Sequence, residues 1–353
     1  MLKFFKDNAL FVAMAVGFFF GGLEVNGLWP WLAPSWMLPL LIFFMLFFTF
    51  CKINPLDLRL HKWHWLAIVF QIVVCVALFY LLRPLDLILA QGVMICVLMP
   101  AATAGPIIAG KLGGSIQSIT SFTLLSSVVT AIIVPAFFPF VNPEIQLPFL
   151  TRFLQILQHI SPLLIGPFLA AWALRLISNA IYRRQWLRLP ADNRPATPKK
   201  FVLSGFAAQL PFYVWVFTLV LLMSQMTRNL HSYYLDGGAL LPLIGLFAGA
   251  LLTCMLQFYV GKKLGERYPC EAHGEDYHDV LVNPAIYDPD PRQITRISAG
   301  QALGQKNTTL AIWMAHTYLN PVSALAPAAY ILSQNLYNSW QLSRPAKGHK
   351  ASE

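Results

Sequence analysis

Ala299 to Thr309 reads AGQALGQKNTT, and it interrupts an otherwise apolar segment with glycine, amide, hydroxyl and one ammonium group. No ordinary lipid-facing helix has this composition. Lipid cannot hydrogen-bond freed backbone, so a polar, glycine-broken stretch at membrane depth is tolerated only where it faces protein or a water-filled cavity. The stretch is therefore a candidate binding site, and Lys306 is its sharpest feature.

The surrounding chain supports a membrane setting. Of 353 residues, 57% are hydrophobic and only 11% charged, with a mean hydropathy of +0.59, a composition that excludes a soluble globular domain. The first apolar segment follows Lys3 and Lys6 and resembles a signal-peptide core. No small-x-small cleavage site precedes the next apolar run, so it reads as a first span. The five cysteines, Cys51, Cys75, Cys96, Cys254 and Cys270, have no repeated spacing and imply no disulfide framework; they read as small buried side chains. The net charge of +10 would suggest nucleic acid in a soluble protein. Here the basic residues cluster between apolar segments, which makes them an orientation signal.

A spanning helix needs about twenty mostly apolar residues. That ruler predicts an all-α polytopic membrane protein with ten spans: Asn8–Gly22, Trp36–Cys51, Trp65–Leu82, Leu87–Gly110, Ile116–Phe140, Phe153–Leu174, Phe201–Met226, Gly237–Val260, Ile297–Ala315 and Pro321–Trp340. When the loops alternate from a cytoplasmic N terminus, all of the 25 Lys and Arg residues except Arg83, Arg152, Arg228 and Lys306 fall on the cytoplasmic side. This bias predicts an integral plasma (inner) membrane protein with both termini cytoplasmic.

The ten spans divide at the loop Val141–Arg152 into five-helix repeats, residues 1–150 and 151–341, followed by a tail, 342–353. An odd number of spans in each half forces opposite orientations, the arithmetic of an inverted repeat. A basic loop, 182–200, lies within the second half. The fourth span of each half is broken. In the first, Pro100 and Pro106 remove helical donors and Gly105 loosens the backbone between them; in the second, Gly300 and Gly304 do so. Either break alone reads as ordinary membrane-helix packing. Matched breaks in two halves point to a binding site at the bilayer midplane.

The chain resembles the bile acid:sodium symporter family at two motifs. One is Pro100–Ala104, PAATA, where relatives read PGGTA; the other is Gly304–Ala311, GQKNTTLA, where relatives read GMQNSGLA. The resemblance implies a core of spans three to five and eight to ten that rocks against a panel of spans one, two, six and seven. It also implies that Thr103, Asn307, Gln334 and Asn335 face substrate. Sodium-coupled relatives carry a serine-asparagine pair after the first motif, a glutamate before the glycine of the second, and glutamine in place of lysine. This chain has Gly105, Pro106, Ala302 and Lys306 there. Sodium, a hard cation, wants several oxygens, preferably one of them anionic. Gln301, Gln305, Thr308, Ser118 and Thr123 remain as candidate ion or coupling residues, with hydroxyls on the fifth span equally able to bond only their own helix.

Lys306 gives a reason for the loss. A lysine near the bilayer centre costs about 2.5 to 3.5 kcal/mol on insertion scales, and no acidic residue falls within a span core. Burial without a counter-charge favours the neutral amine, whereas a bound anion favours the ammonium. The expectation is a secondary transporter for a small organic anion, needing no cofactor, with Na+ or H+ as the coupling ion and Lys306 as counter-ion in place of sodium. The bland alternative is a lysine that snorkels to the surface from a tilted helix. The family's usual sodium coupling through a rearranged site, and a passive channel, also stay open.

Other motifs carry less. Cys270, Glu271, His273, Glu275, Asp276, His278 and Asp279 include metal-ligand types without the paired spacing of a zinc site, so an acidic solvated loop is the simpler reading. His159, near Pro162, could shuttle protons, but reads more simply as a packed, hydrogen-bonded histidine or as one that faces the panel surface. There is no P-loop for an ATP-driven pump and no nucleophile-and-base set for an enzyme.

Overall fold

In the computed structural model the described residues form helices and their connections, with no strand among them. The structure describes residues 9–28, 36–51, 58–141, 148–188, 209–270 and 290–343. Thirteen α-helices follow in order: α1 Ala9–Val25, α2 Met37–Phe50, α3 Lys62–Leu82, α4 Leu87–Leu98, α5 Gly105–Lys111, α6 Ile116–Val141, α7 Phe149–Leu164, α8 Gly166–Leu187, α9 Leu210–Leu235, α10 Leu240–Arg267, α11 Pro291–Gly304, α12 Thr308–Tyr318 and α13 Leu325–Ser343. A 3-10 turn, Pro321–Ala324, leads into α13. Among the described residues, five stretches are long and apolar enough to cross a membrane: α3, α6, the near-continuous α7–α8 run, α9 and α10; α1, α2 and α4 are shorter apolar helices. Apolar side chains on every face are what a helix bounded by lipid and protein requires.

Local chemistry explains where the helices differ from the hydropathy ruler. The expected fourth span is two helices, since α4 ends at Leu98 and α5 starts at Gly105 with Pro106 in its first turn. The expected ninth is also two, with residues 305–307 outside both. Its first half begins at Pro291 rather than Ile297, because Asp290 accepts the Arg292 N–H at 2.9 Å and Pro291 needs no donor there. Those opening turns are polar, so a hydropathy window cannot see them. Likewise α10 passes Val260 by two turns, which carry the ion pairs Lys263–Glu266 (3.0 Å) and Arg296–Glu266 (2.8 Å). The residues 189–200 of the basic loop, 201–208 of the expected seventh span and 271–279 of the acidic loop lie outside the described residues.

The helices pack in two groups. In one, α1 and α2 lie on α9, and α2 also meets α7 and α8; in the other, α4 contacts α3, α10 and α13, and α11 contacts α10, α5 and α6. Contacts between the groups run through α6 with α7, α9 with α12 and the 3-10 turn, and α2 with α12. Close approach within each group depends on glycine. A Cβ on Gly261 or Gly265 of α10 would collide with the α11 backbone at Ala299 and Thr295, and one on Gly17 or Gly21 of α1 would meet the carbonyls of Val220 and Ser224. Such small-residue stripes let helices attract by van der Waals contact where no hydrophobic drive exists between them.

These contacts predict an asymmetry. Gly261→Leu forces α10 away from α11 and should cost at least about 3 kcal/mol, the upper range for overpacking, whereas Gly22→Leu, which meets open space, should be neutral. Thermal unfolding of the two purified variants, followed by loss of monodisperse protein, measures the difference.

Candidate functional site

The two helix breaks meet. Ala101 and Lys306 form an isolated antiparallel bridge, in which the Ala102 N–H donates to the Gln305 carbonyl and the Asn307 N–H to the Pro100 carbonyl, both at 2.9 Å. Each interrupted helix thus supplies partners for the groups that the other frees, which is how non-helical backbone persists away from water.

Side chains from neighbouring helices satisfy what remains. Gln71 of α3 donates through Nε2 to the carbonyls of Val97 (3.0 Å) and Met99 (3.1 Å). Gln257 of α10 donates to the Cys96 carbonyl at 3.1 Å and to the Tyr330 hydroxyl at 3.0 Å. The Tyr330 hydroxyl in turn donates to the Gly304 carbonyl at 2.8 Å. Ser126 Oγ accepts the Ala101 N–H at 3.1 Å, and Gln334 Oε1 accepts the Lys306 N–H at 3.0 Å. Asn307 caps α12 by accepting the Leu310 N–H at 3.2 Å. Gln71, Gln257 and Tyr330 were not singled out by motif, although Gln71 and Gln257 are amides set in strongly apolar stretches, the signal that could have found them.

Beside the crossing lies a cavity of about 390 Å³. Thr103, Asn307, Gln334 and Asn335, expected to face substrate, all line it, as do Gln305, Lys306 and Thr308. The opposite wall comes from the other helix group, with Met45 and Thr49 of α2 and Pro211, Phe212 and Trp215 of α9. Sequence motifs gave no hint of this wall, because its residues are ordinary apolar and aromatic side chains. The mouth lies by Ala104 and Ile107, the latter 46% exposed.

The remaining candidates sort by position. Gln301 stands behind the cavity wall: its Oε1 accepts from Gln305 Nε2 at 2.8 Å, and its Nε2 donates to Asn338 Oδ1 (3.2 Å) and Gln341 Oε1 (2.8 Å). Thr123 is not on the cavity and donates to the Ile119 carbonyl of its own helix at 2.9 Å. Ser118 is also elsewhere, 3.2 Å from His64 Nε2. The His61 N–H donates to His64 Nδ1 at 3.0 Å, so Nε2 holds the proton and donates to the Ser118 hydroxyl, the reverse of what would activate a serine. Gly105 opens α5 with room for a Cβ, while Gly300 lies inside regular α11 against Lys262 and Gly304 closes α11 against the Phe258 ring. Among the hinge candidates, then, Pro100 lies in the break, Gly105 and Pro106 begin the helix after it, and Gly300 serves packing. His159 is exposed on α7.

Lys306 is 1% exposed, and its Nζ has no hydrogen-bond partner among the described residues. The titratable groups close enough to act on it are the thiols of Cys75 on α3 and Cys96 on α4. The described lining of the cavity includes no carboxylate. The N terminus of α12 meets the cavity at Asn307, Thr308 and Thr309, adding the positive end of a helix dipole.

Comparison with protein-family models and with the curated proteins finds no match to this chain.

The bracing of the crossing gives a ranked prediction. Gln71→Leu or Gln257→Leu leaves buried carbonyls unpaired and should destabilise the protein by about 1–3 kcal/mol. Thr123→Val removes only a bond to its own helix and should cost less than about 1 kcal/mol. Denaturant titration of the three variants in one detergent checks the order.

Proposed function

We propose that this chain is a secondary active transporter that moves a small organic anion across the membrane by alternating access. The observation that carries the reading is the crossing itself: two interrupted helices, joined at their breaks, stand against a cavity whose opposite wall belongs to another group of helices. Discontinuous helices with polar breaks beside a cavity are the usual transporter device for binding a polar solute at membrane depth.

In this reading the helices form ten spans in two inverted five-helix repeats, with α4–α5 and α11–α12 as the broken fourth and ninth. The group α3–α6 with α10–α13 is the moving core, and α1, α2 and α7–α9 form the panel. The motif resemblance to bile acid:sodium symporters and the division of helix contacts support this arrangement. The protein sits in the plasma (inner) membrane with both termini cytoplasmic, so the cavity mouth at Ala104 and Ile107 opens toward the cytoplasm.

An anion is favoured by three features. The described cavity lining is free of carboxylates, the α12 N terminus meets it, and Lys306 is the basic residue on its wall. Backbone N–H groups at a helix start bind carboxylate, sulfonate or phosphate oxygens readily. The volume suits a small organic molecule, with Thr103, Asn307, Gln334 and Asn335 bonding its polar end and Phe212 and Trp215 covering its apolar body. Lys306 neutralises the site from its wall, at a motif position where sodium-coupled relatives carry glutamine. Its uptake and loss of a proton would couple transport to pH.

Uptake of a panel of organic anions into proteoliposomes, with sodium and pH gradients imposed separately, tests the proposal. A saturable anion flux driven by the pH gradient and indifferent to sodium is expected, and Lys306→Gln should lower it at least tenfold and flatten its pH dependence. Sodium-driven uptake would overturn the assigned role of Lys306, and flux that never accumulates substrate against a gradient would identify a passive pathway.

A further inference from the structure

The end of the molecule away from the cavity mouth has an organisation of its own. Along α12 the cavity meets Thr308 and Thr309, and the next turns carry Met314, fully buried in one apolar cluster with Leu222 and Met226 of α9. Beyond that layer the chemistry changes. His316 of α12, Gln225, Arg228 and Asn229 of α9 and Glu24 of α1 bring polar groups to the region where α9 packs on α12 and α1.

Part of this seam is bonded. Glu24 Oε2 receives Arg228 Nε at 3.2 Å and the Ser224 hydroxyl at 3.3 Å, and the Arg228 guanidinium is near enough to act on His316. The rest is not. Glu24 Oε1, Gln225 Oε1, Asn229 Nδ2 and His316 Nε2 are buried without a hydrogen-bond partner among the described residues. Buried polar groups are nearly always paired, so a concentration of unpaired ones calls for a physical account. Gln225 and Asn229 of α9 and His316 of α12 come from helices that meet across the two groups, whereas Glu24 of α1 lies within one of them; parting α9 from α12 is the motion that lets water into this contact. Two of the four atoms are acceptors and Asn229 Nδ2 is a donor, and water satisfies either kind.

We propose that this seam is a second gate, closed in this structure: an apolar layer at Leu222, Met226 and Met314 capped by a polar layer whose unpaired groups favour parting of α9 from α12. The closed arrangement is metastable by construction. Apolar contacts hold it shut, and hydration of Gln225, Asn229 and His316 offsets their loss when it opens. The inference extends the transporter reading, on which it rests for its purpose. As a statement about access it stands on the seam alone.

Site-directed labelling in sealed vesicles separates the two. The five native cysteines are replaced, Met314→Cys is introduced beneath the polar layer, and a membrane-impermeant maleimide is applied from the side of the α9 C terminus. Slow, measurable labelling from that side is expected. Gln225→Leu with His316→Leu should lower its rate at least tenfold, because an apolar seam gains nothing from water. His316→Gln, which keeps a hydrogen-bonding group, should label close to the starting rate. Ile107→Cys at the cavity mouth, labelled from the opposite side in every background, reports that the fold is intact. An unchanged rate in the Leu double variant, or no labelling of Met314→Cys from the α9 C-terminal side, would overturn the gate. Neither outcome depends on substrate, so the gate can fail while anion uptake survives, and the reverse.

Discussion

Two backbone hydrogen bonds hold this architecture together, Ala102 N–H to Gln305 and Asn307 N–H to Pro100. A helix that stops within a membrane leaves carbonyls and N–H groups that water cannot reach, each costing several kcal/mol if unpaired. Two stops set against each other cancel much of that cost. Neither broken helix could persist alone, so the positions of α4, α5, α11 and α12 are mutually determined. The amides of Gln71, Gln257 and Gln334 finish the pairing, and their carbon chains are packed by the same helices that they brace.

The cavity follows from this constraint. Where two chains cross in extended conformation, side chains are thinner than along a helix, and polar groups of short reach such as Thr103 and Asn307 come to the surface beside them. The facing wall of Met45, Phe212 and Trp215 brings apolar bulk and no charge. One side of the chamber is therefore polar and the other apolar. If the two helix groups move relative to each other, the polar side travels intact, because all its hydrogen-bond partners belong to one group.

Much of this was legible in the sequence, and the limits are physical. The broken segments could be read because proline, glycine and amides at membrane depth conflict with lipid, and Thr103, Asn307, Gln334 and Asn335 do share the cavity. Helix boundaries at Pro291 and Arg267 were misjudged because hydropathy measures lipid contact, and both ends are polar. Ser118 and Thr123 looked like pathway hydroxyls, yet a hydroxyl's sequence position does not say whether it bonds across helices or back to its own. The α9 wall was invisible, since Phe212 and Trp215 are ordinary residues until the fold sets them opposite the crossing. Residues 271–279 of the acidic loop lie outside the described residues.

The crossing has one more consequence. Its bonds run between main-chain atoms, and those atoms are the same whatever side chains they carry. The bridge itself sets no demand on the chemistry of the side chains that its residues carry, whereas the bracing from α3 and α10 does, because Gln71 and Gln257 reach the freed carbonyls through their amides. The joint can therefore present an amine at Lys306 and an amide at Asn307 without weakening the bonds that hold the two broken helices together.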